Sequence, residues 1–288
     1  MTIAYRSALA ALALTACAGA AQAQTEIGLF YGHGYYKGDI EVETKYAPLP
    51  IGTGKPAFGV YGRRFFSDHL AANAAATAMT IFGTDARRAT SRSRNLSFTS
   101  RIYELSASAE YYPFTASRSI APYLTGGVAY YHFNPTTEFN GRTVELQPLG
   151  TEGQGSPGYG PRYSLHRFAM PLGAGTRIAF GASWVLSLEA RVRVTFFDHL
   201  DDVSGGYVNY YELVQTNGSL AAELANRTHE FAGGEPRDIP TGTPRGNPAA
   251  FDYYATAGVT VGYRIGSGAF GAGGGQRGAS RYNRCYRF

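Results

Sequence analysis

Between residues 183 and 197 the side chains alternate with a period of two. Trp184, Leu186, Leu188, Ala190, Val192, Val194 and Phe196 occupy the even positions, while Ser187, Glu189, Arg191, Arg193 and Thr195 stand among the odd ones. An extended chain turns successive side chains to opposite faces, so this segment reads as a strand with one apolar and one ionic face. Residues 251–265 repeat the design in the other parity, setting Phe251, Tyr253, Ala255, Val259, Val261 and Tyr263 against Asp252, Thr256, Thr260 and Arg264. Residues 101–114 do so again, with Tyr103, Leu105, Ala107, Ala109 and Tyr111 against Glu104, Ser106, Ser108 and Glu110. Five further segments alternate less strictly, at about 26–37, 56–66, 70–82, 120–133 and 165–180, which makes eight expected strands.

These segments exceed the five or six residues usual in soluble sheets and match what a tilted strand needs to cross a bilayer. The connections supply the second clue. Short ones near 67–68, 115–119 and 181–182 alternate with long ones at about 38–55, 83–100, 134–164 and 198–250. Outer-membrane barrels have short periplasmic turns, long external loops and an even number of strands. A soluble sandwich also alternates along its strands, but nothing in its geometry lengthens every second loop. The expectation is therefore an all-β chain, an eight-stranded antiparallel up-and-down transmembrane β-barrel with both termini in the periplasm. Tyr111-Tyr112, Tyr130-Tyr131, Phe196-Phe197 and Tyr253-Tyr254 fall at strand ends, where amphipathic rings suit the headgroup layer; the same rings also suit a soluble core.

Composition sharpens this. Of 288 residues 44% are apolar and 16% charged, with 37 glycines, 22 tyrosines and 17 phenylalanines, too much aromatic surface for a disordered chain. After residue 24 no stretch approaches the roughly 18–20 uninterrupted apolar residues of a spanning helix. The first 23 residues read as a signal peptide: one cation at Arg6, an apolar run over 7–16, then Ala21-Gln22-Ala23 before the cut. Leu14-Thr15-Ala16-Cys17 also fits a lipobox, which would put a lipid on Cys17, but strand-like sequence beginning by Ile27 leaves no polar tether and favours cleavage after Ala23. Cleavage leaves Cys285 as the sole cysteine, which excludes an intramolecular disulfide. The expected divisions are a signal peptide (1–23), a barrel (24–266) and a glycine-rich basic periplasmic tail (267–288). Arg277, Arg281, Arg284 and Arg287 fit that tail to peptidoglycan, anionic headgroups or a periplasmic protein, or serve solubility alone.

An eight-stranded barrel is just wide enough for side chains to fill it, so a solute pore is not expected. Parity sends Glu104, Glu110, Glu189, Arg191, Arg193 and Arg264 inward, and less securely Arg167 and Arg177, so an ion-paired plug is expected. Catalytic and metal motifs are scarce. His199 with Asp201 and Asp202 offers ligands to a hard cation, but an acidic pair after a strand reads first as a solvated loop start. His132, His166 and His199 fall near the external rim without a visible nucleophile and orienting carboxylate, which argues against a lipid-modifying enzyme. The tract 266–278 lacks the lysine of a phosphate-binding loop and reads as a linker. No cofactor is called for, nor nucleic acid. The partners expected are outer-membrane lipid and proteins. Residues 144–155 mix apolar, glycine and polar positions as in a loop that packs on itself or on a partner, and residues 200–250 form a connection long enough to be a functional surface.

Several motifs carry a family resemblance. Tyr103-Glu104-Leu105, Glu110-Tyr111-Tyr112-Pro113-Phe114, Ala121-Pro122-Tyr123-Leu124-Thr125-Gly126-Gly127, Tyr131-His132-Phe133-Asn134-Pro135, the run Leu146 through Gly155 and Leu200-Asp201-Asp202-Val203-Ser204 together resemble a Bacteroidetes outer-membrane family of unknown function, DUF6089. Its PorG-like members imply a non-enzymatic outer-membrane barrel that anchors a periplasmic ring of the type IX secretion system. The alanine-rich stretch 71–78 and the basic tail depart from that pattern.

Overall fold

The computed structural model describes residues 24–40, 54–87, 91–181 and 183–265. The expected signal peptide with Cys17, most of the first long connection and the glycine-rich tail with Cys285 lie outside the described residues. Eight strands form the wall: β1 (Thr25–Lys37), β2 (Lys55–Phe65), β3 (Leu70–Thr84), β4 (Ser97–Tyr111), β5 (Ile120–Phe139), β7 (His166–Phe180), β8 (Trp184–Val194) and β9 (Tyr253–Ile265). The four-residue β6 (Arg142–Glu145) pairs only with the far end of β5, as a hairpin standing above the barrel.

Every wall strand pairs antiparallel with its sequence neighbour, β5 pairs with β7, and β1 pairs with β9 from Thr25↔Ile265 to Lys37↔Tyr253. That last pairing closes the sheet, so no strand edge is left for lipid to meet. Polarity is inverted relative to a water-soluble protein. On β4 the burial alternates without a break, with Glu104, Ser106, Ser108 and Glu110 inside and Tyr103, Leu105, Ala107 and Ala109 outside. Leu105, Val128 and Phe168 are 62%, 65% and 71% exposed while Glu104 and Glu110 are buried. A wall greasy outside and ionic inside is stable only where the surrounding solvent is hydrocarbon.

Strand ends depart from the sequence expectation where local contacts interrupt pairing. Strand β4 stops at Tyr111 because Tyr112 gives its backbone N–H to His69 O (2.8 Å) and turns its ring onto Phe65 and Tyr123, with centroids 5.6 and 5.4 Å apart. Strand β8 stops at Val194, short of Phe196, whose backbone takes a left-handed φ of 52°, while the alternation itself continues with Phe196 outward and Phe197 inward. Strand β5 runs six residues past Phe133 because β4 pairs with it as far as Thr136 and β6 carries the ladder on to Phe139.

The interior is layered. At the end carrying the short turns, Phe65, Tyr112, Ala116 and Tyr123 form an apolar floor. At the end carrying the long connections, Tyr36, Phe98, Phe133, Tyr163, Phe197 and Leu200 form an aromatic ceiling. The charges lie between.

Candidate functional site: the filled lumen and its loop cap

The charged layer is built from one to three inward positions on each of several strands. Glu26 of β1 accepts from Arg63 Nη1 (2.6 Å), Tyr61 Oη (2.8 Å) and Arg177 Nε (3.1 Å). Arg63 of β2 also reaches Glu110 on β4, Nε to Oε2 at 2.6 Å and Nη2 to Oε1 at 3.1 Å. Glu110 accepts in addition from Asn73 Nδ2 (3.0 Å) and Tyr112 Oη (2.8 Å). Arg191 Nη2 lies 3.1 Å from Glu189 Oε2 and 3.9 Å from Glu110 Oε1, and Glu189 accepts from Tyr123 Oη at 2.8 Å. Closer to the ceiling, Arg193 binds Glu104 through Nε and Nη2, and Tyr254 Oη donates to Glu104 Oε2 (2.8 Å). Guanidinium and carboxylate groups in low dielectric need this multiple satisfaction to offset desolvation.

All six residues assigned to the lumen by parity face inward. Glu104 meets Arg193, and Arg191 draws together Glu189 and Glu110. Arg264 lies buried near the floor, where its backbone N–H donates to Ser183 O at 2.8 Å. Arg177 joins the network through Glu26, whereas Arg167 leaves it and lays its guanidinium 4.1 Å from the centroid of the Phe197 ring. Sequence reasoning missed Glu26 and Arg63, the residues at which the network branches. Their signal was weak because Arg63 adjoins the exposed Arg64, so the charge marks both faces, and because glycine interrupts the inward row of β1 at Gly28 and Gly32. Those glycines have a use: a Cβ on Gly28 would lie 2.6 Å from Tyr61 Cε1, so its absence seats the ring that supports Glu26. A residual cavity of about 20 Å³, lined by Tyr61, Arg191, Arg193, Thr256 and Thr260, is room for a single water.

Over the ceiling the long connections form a cap. The connection from β8 to β9 carries three short helices, α1 (Tyr210–Thr216), α2 (Ser219–Ala225) and α3 (Thr228–Ala232). Asn209 caps α1 through its Oδ1, accepting from Tyr211 N at 3.0 Å. Asn217 Nδ2 donates to the carbonyls of Leu149, Gly150 and Gln154, so the glycine-rich segment 144–155 wraps onto the 200–250 connection. Gly150, at φ 63°, permits that wrap, since a Cβ there would lie 2.7 Å from Asn217 Nδ2. Arg245 pins the cap from within, donating to Glu152 Oε1 (3.0 Å), Asp202 O (2.8 Å) and Ala225 O (3.3 Å).

The acidic pair after β8 is the clearest correction to the sequence reading. Asp201 and Asp202 are 0% and 1% exposed rather than solvated. Converging donors hold them there. Asp201 accepts from Ile40 N (2.8 Å) and Val203 N (2.9 Å), and Asp202 from Thr151 Oγ1 and Tyr163 Oη, both at 2.6 Å. Burial nonetheless pushes Asp202 up to about 6, against the pull of Arg245, and Asp198 up to about 7. His199 does not converge with the aspartates; its ring stacks on Phe197 with Nε2 4.0 Å from Glu152 Oε2, and burial depresses its pKa. His132 and His166 face each other across β5 and β7 on the outer wall, ring centroids 4.5 Å apart, with Tyr130 Oη 2.9 Å from His166 Nδ1. Ser164 Oγ contacts the backbone of His166 rather than its ring.

A family model described as the outer membrane protein beta-barrel domain matches residues 7–210. The chain belongs to this family. Solved structures similar to this outer-membrane barrel include Ail, the attachment invasion locus protein of Yersinia pestis, in complex with the heparin analogue sucrose octasulfate, at 10% identity and TM-score 0.40, covering 85% of this chain and 99% of that one. Neisserial surface protein A is similar at 9% identity and TM-score 0.40, over 84% and 97% of the two chains. The outer membrane protein W of E. coli is similar at 12% identity and TM-score 0.35, over 83% and 97%. No curated protein matches the chain by sequence. The barrel assignment rests on the strand pairing and the family match.

Proposed function

We propose that this barrel is a non-enzymatic structural and interaction protein of the Gram-negative outer membrane, with a closed lumen and a working surface in the loop cap. The observation that carries the reading is the run of ion pairs from Glu26 through Arg63 to Glu110 and Arg191, which occupies the bore under a cap seated on the mouth. Short turns at one end and long connections at the other support both termini being periplasmic and the cap external. Planar-bilayer recording tests the closed lumen: the wild-type chain should give no discrete conductance steps, and steady single-channel currents would overturn the reading. Unchanged lipid A and phospholipid profiles in a deletion strain are expected if no lipid is modified.

The motif resemblance supports a finer reading, in which the barrel anchors a periplasmic ring of a type IX secretion machine through residues 267–288. Pull-down with the tail present should then recover ring proteins that the chain ending at residue 266 does not.

A further inference from the structure

The hydroxyl of Tyr36, at the upper end of β1, lies 2.7 Å from Asp201 Oδ2 and 2.7 Å from Asp252 Oδ1. A phenol has one proton and can donate to one of these carboxyl groups. At the other contact the tyrosine oxygen must accept, which requires the second carboxyl to carry a proton of its own. Both aspartates are fully buried, and among the described residues no cation lies within ion-pair reach of either. Their remaining contacts are backbone N–H groups: Ile40 and Val203 on Asp201, and Leu200 on Asp252 (2.8 Å). Three parts of the chain thus meet at one hydroxyl, namely the root of the first long connection, the start of the connection carrying α1 to α3, and the residue that enters β9.

We infer that Asp201 and Asp252 hold one proton between them through Tyr36, and that this proton fastens the loop cap to the barrel mouth, so that its loss at rising pH loosens the cap. The surroundings favour retention of the proton. Asp39 from the first connection faces Asp201, and Asp198 from the pair's own connection faces Asp252. Glu152, Asp202 and His199 stand in the next layer. The cations there are engaged elsewhere: Arg94 holds Asp85 at 2.7 Å, Arg245 holds Glu152, and Arg167 lies on Phe197. Tyr131 from β5 faces Asp252, and Tyr163 faces Asp201 while donating to Asp202. Burial raises the pKa of both aspartates, that of Asp201 to about 7. The sign follows: the folded pair binds a proton that the unfolded chain releases near pH 4, so the cap is most secure in acid and weakens as pH rises from there to the folded midpoint.

Hydrogen exchange of the full chain in detergent micelles or nanodiscs, corrected for intrinsic exchange rates, tests this. Protection of residues 197–208 should fall as pH rises from about 4 to the folded midpoint and level off above it, the shared proton contributing about tenfold per pH unit. Asp252→Asn and Asp201→Asn supply a permanently neutral partner and should each remove that tenfold share of the slope, while the double variant Asp198→Asn/Asp202→Asn, which removes the other raised carboxyls of the cap, should keep it. Infrared difference spectra of that double variant provide a second readout, since a buried carboxylic-acid C=O band should remain there and vanish as pH rises through the folded midpoint. Protection that does not change with pH in the double variant, a slope unaltered by both Asp201→Asn and Asp252→Asn, or absence of the acid band from the double variant would each overturn the inference.

Discussion

Arg193 and Glu104 face each other across the bore with two parallel hydrogen bonds, Nε to Oε2 and Nη2 to Oε1, both 2.9 Å. The pair joins β8 to β4, strands that are not neighbours in the wall, so it braces the barrel through its interior. Removing one member of a buried bidentate pair leaves the other charge desolvated, at about 3–5 kcal/mol. Glu104→Ala should therefore lower stability in a urea titration by that amount. The double variant Glu104→Met/Arg193→Met should recover more than half of the loss, because it buries no orphaned charge.

The same logic ranks the other lumen residues. Arg63 compensates two carboxylates, whereas Glu189 shares Arg191 with Glu110 and is itself also held by Tyr123. Arg63→Ala should depress the unfolding temperature in detergent more than Glu104→Ala. Glu189→Ala should depress it least, though measurably. An unchanged temperature for Glu189→Ala would count against its pairing with Arg191.

Lipid is the solvent of the outer wall, and Leu105 stands near the middle of β4 on that face. An arginine at bilayer midplane costs about 2–4 kcal/mol, falling toward the interfaces. Leu105→Arg should lose that much folding free energy in liposomes. Thr99→Arg, on the same face at the loop-bearing end of β4, should lose about 1 kcal/mol or less. Equal losses at the two positions would mean that the wall does not face a bilayer.

The cap and the wall are held by different contacts and should separate experimentally. Arg245 makes its polar bonds within the long connections, to Glu152, Asp202 and Ala225. Arg245→Ala should increase proteolysis within residues 198–250 at least severalfold, while leaving the thermal unfolding of the strands nearly unmoved.

Strands β4, β8 and β9 were legible because their alternation is nearly unbroken, and it was this alternation that assigned Glu104, Glu110, Arg191 and Arg193 to the inside. The barrel could be argued from them together with the loop rhythm. Glu26 and Arg63 were not legible, since doubled arginine and interrupting glycines blur parity where aromatic rings need space. The buried aspartates of the cap were hidden for another reason. Leu200-Asp201-Asp202 looks like any loop exit, and only tertiary folding brings Tyr36, Ile40, Thr151 and Tyr163 to them from four other places in the chain. Local pattern records which face a residue takes on a strand, but it does not record which donors a loop will meet.

The seam between β1 and β9 joins residues more than two hundred positions apart. Until those partners meet, the first and last strands each carry a row of unpaired amides that hydrocarbon will not tolerate. Partial insertion is therefore penalised at every intermediate stage, and the chain has to enter the bilayer as one cooperative event that waits for its final strand to be delivered.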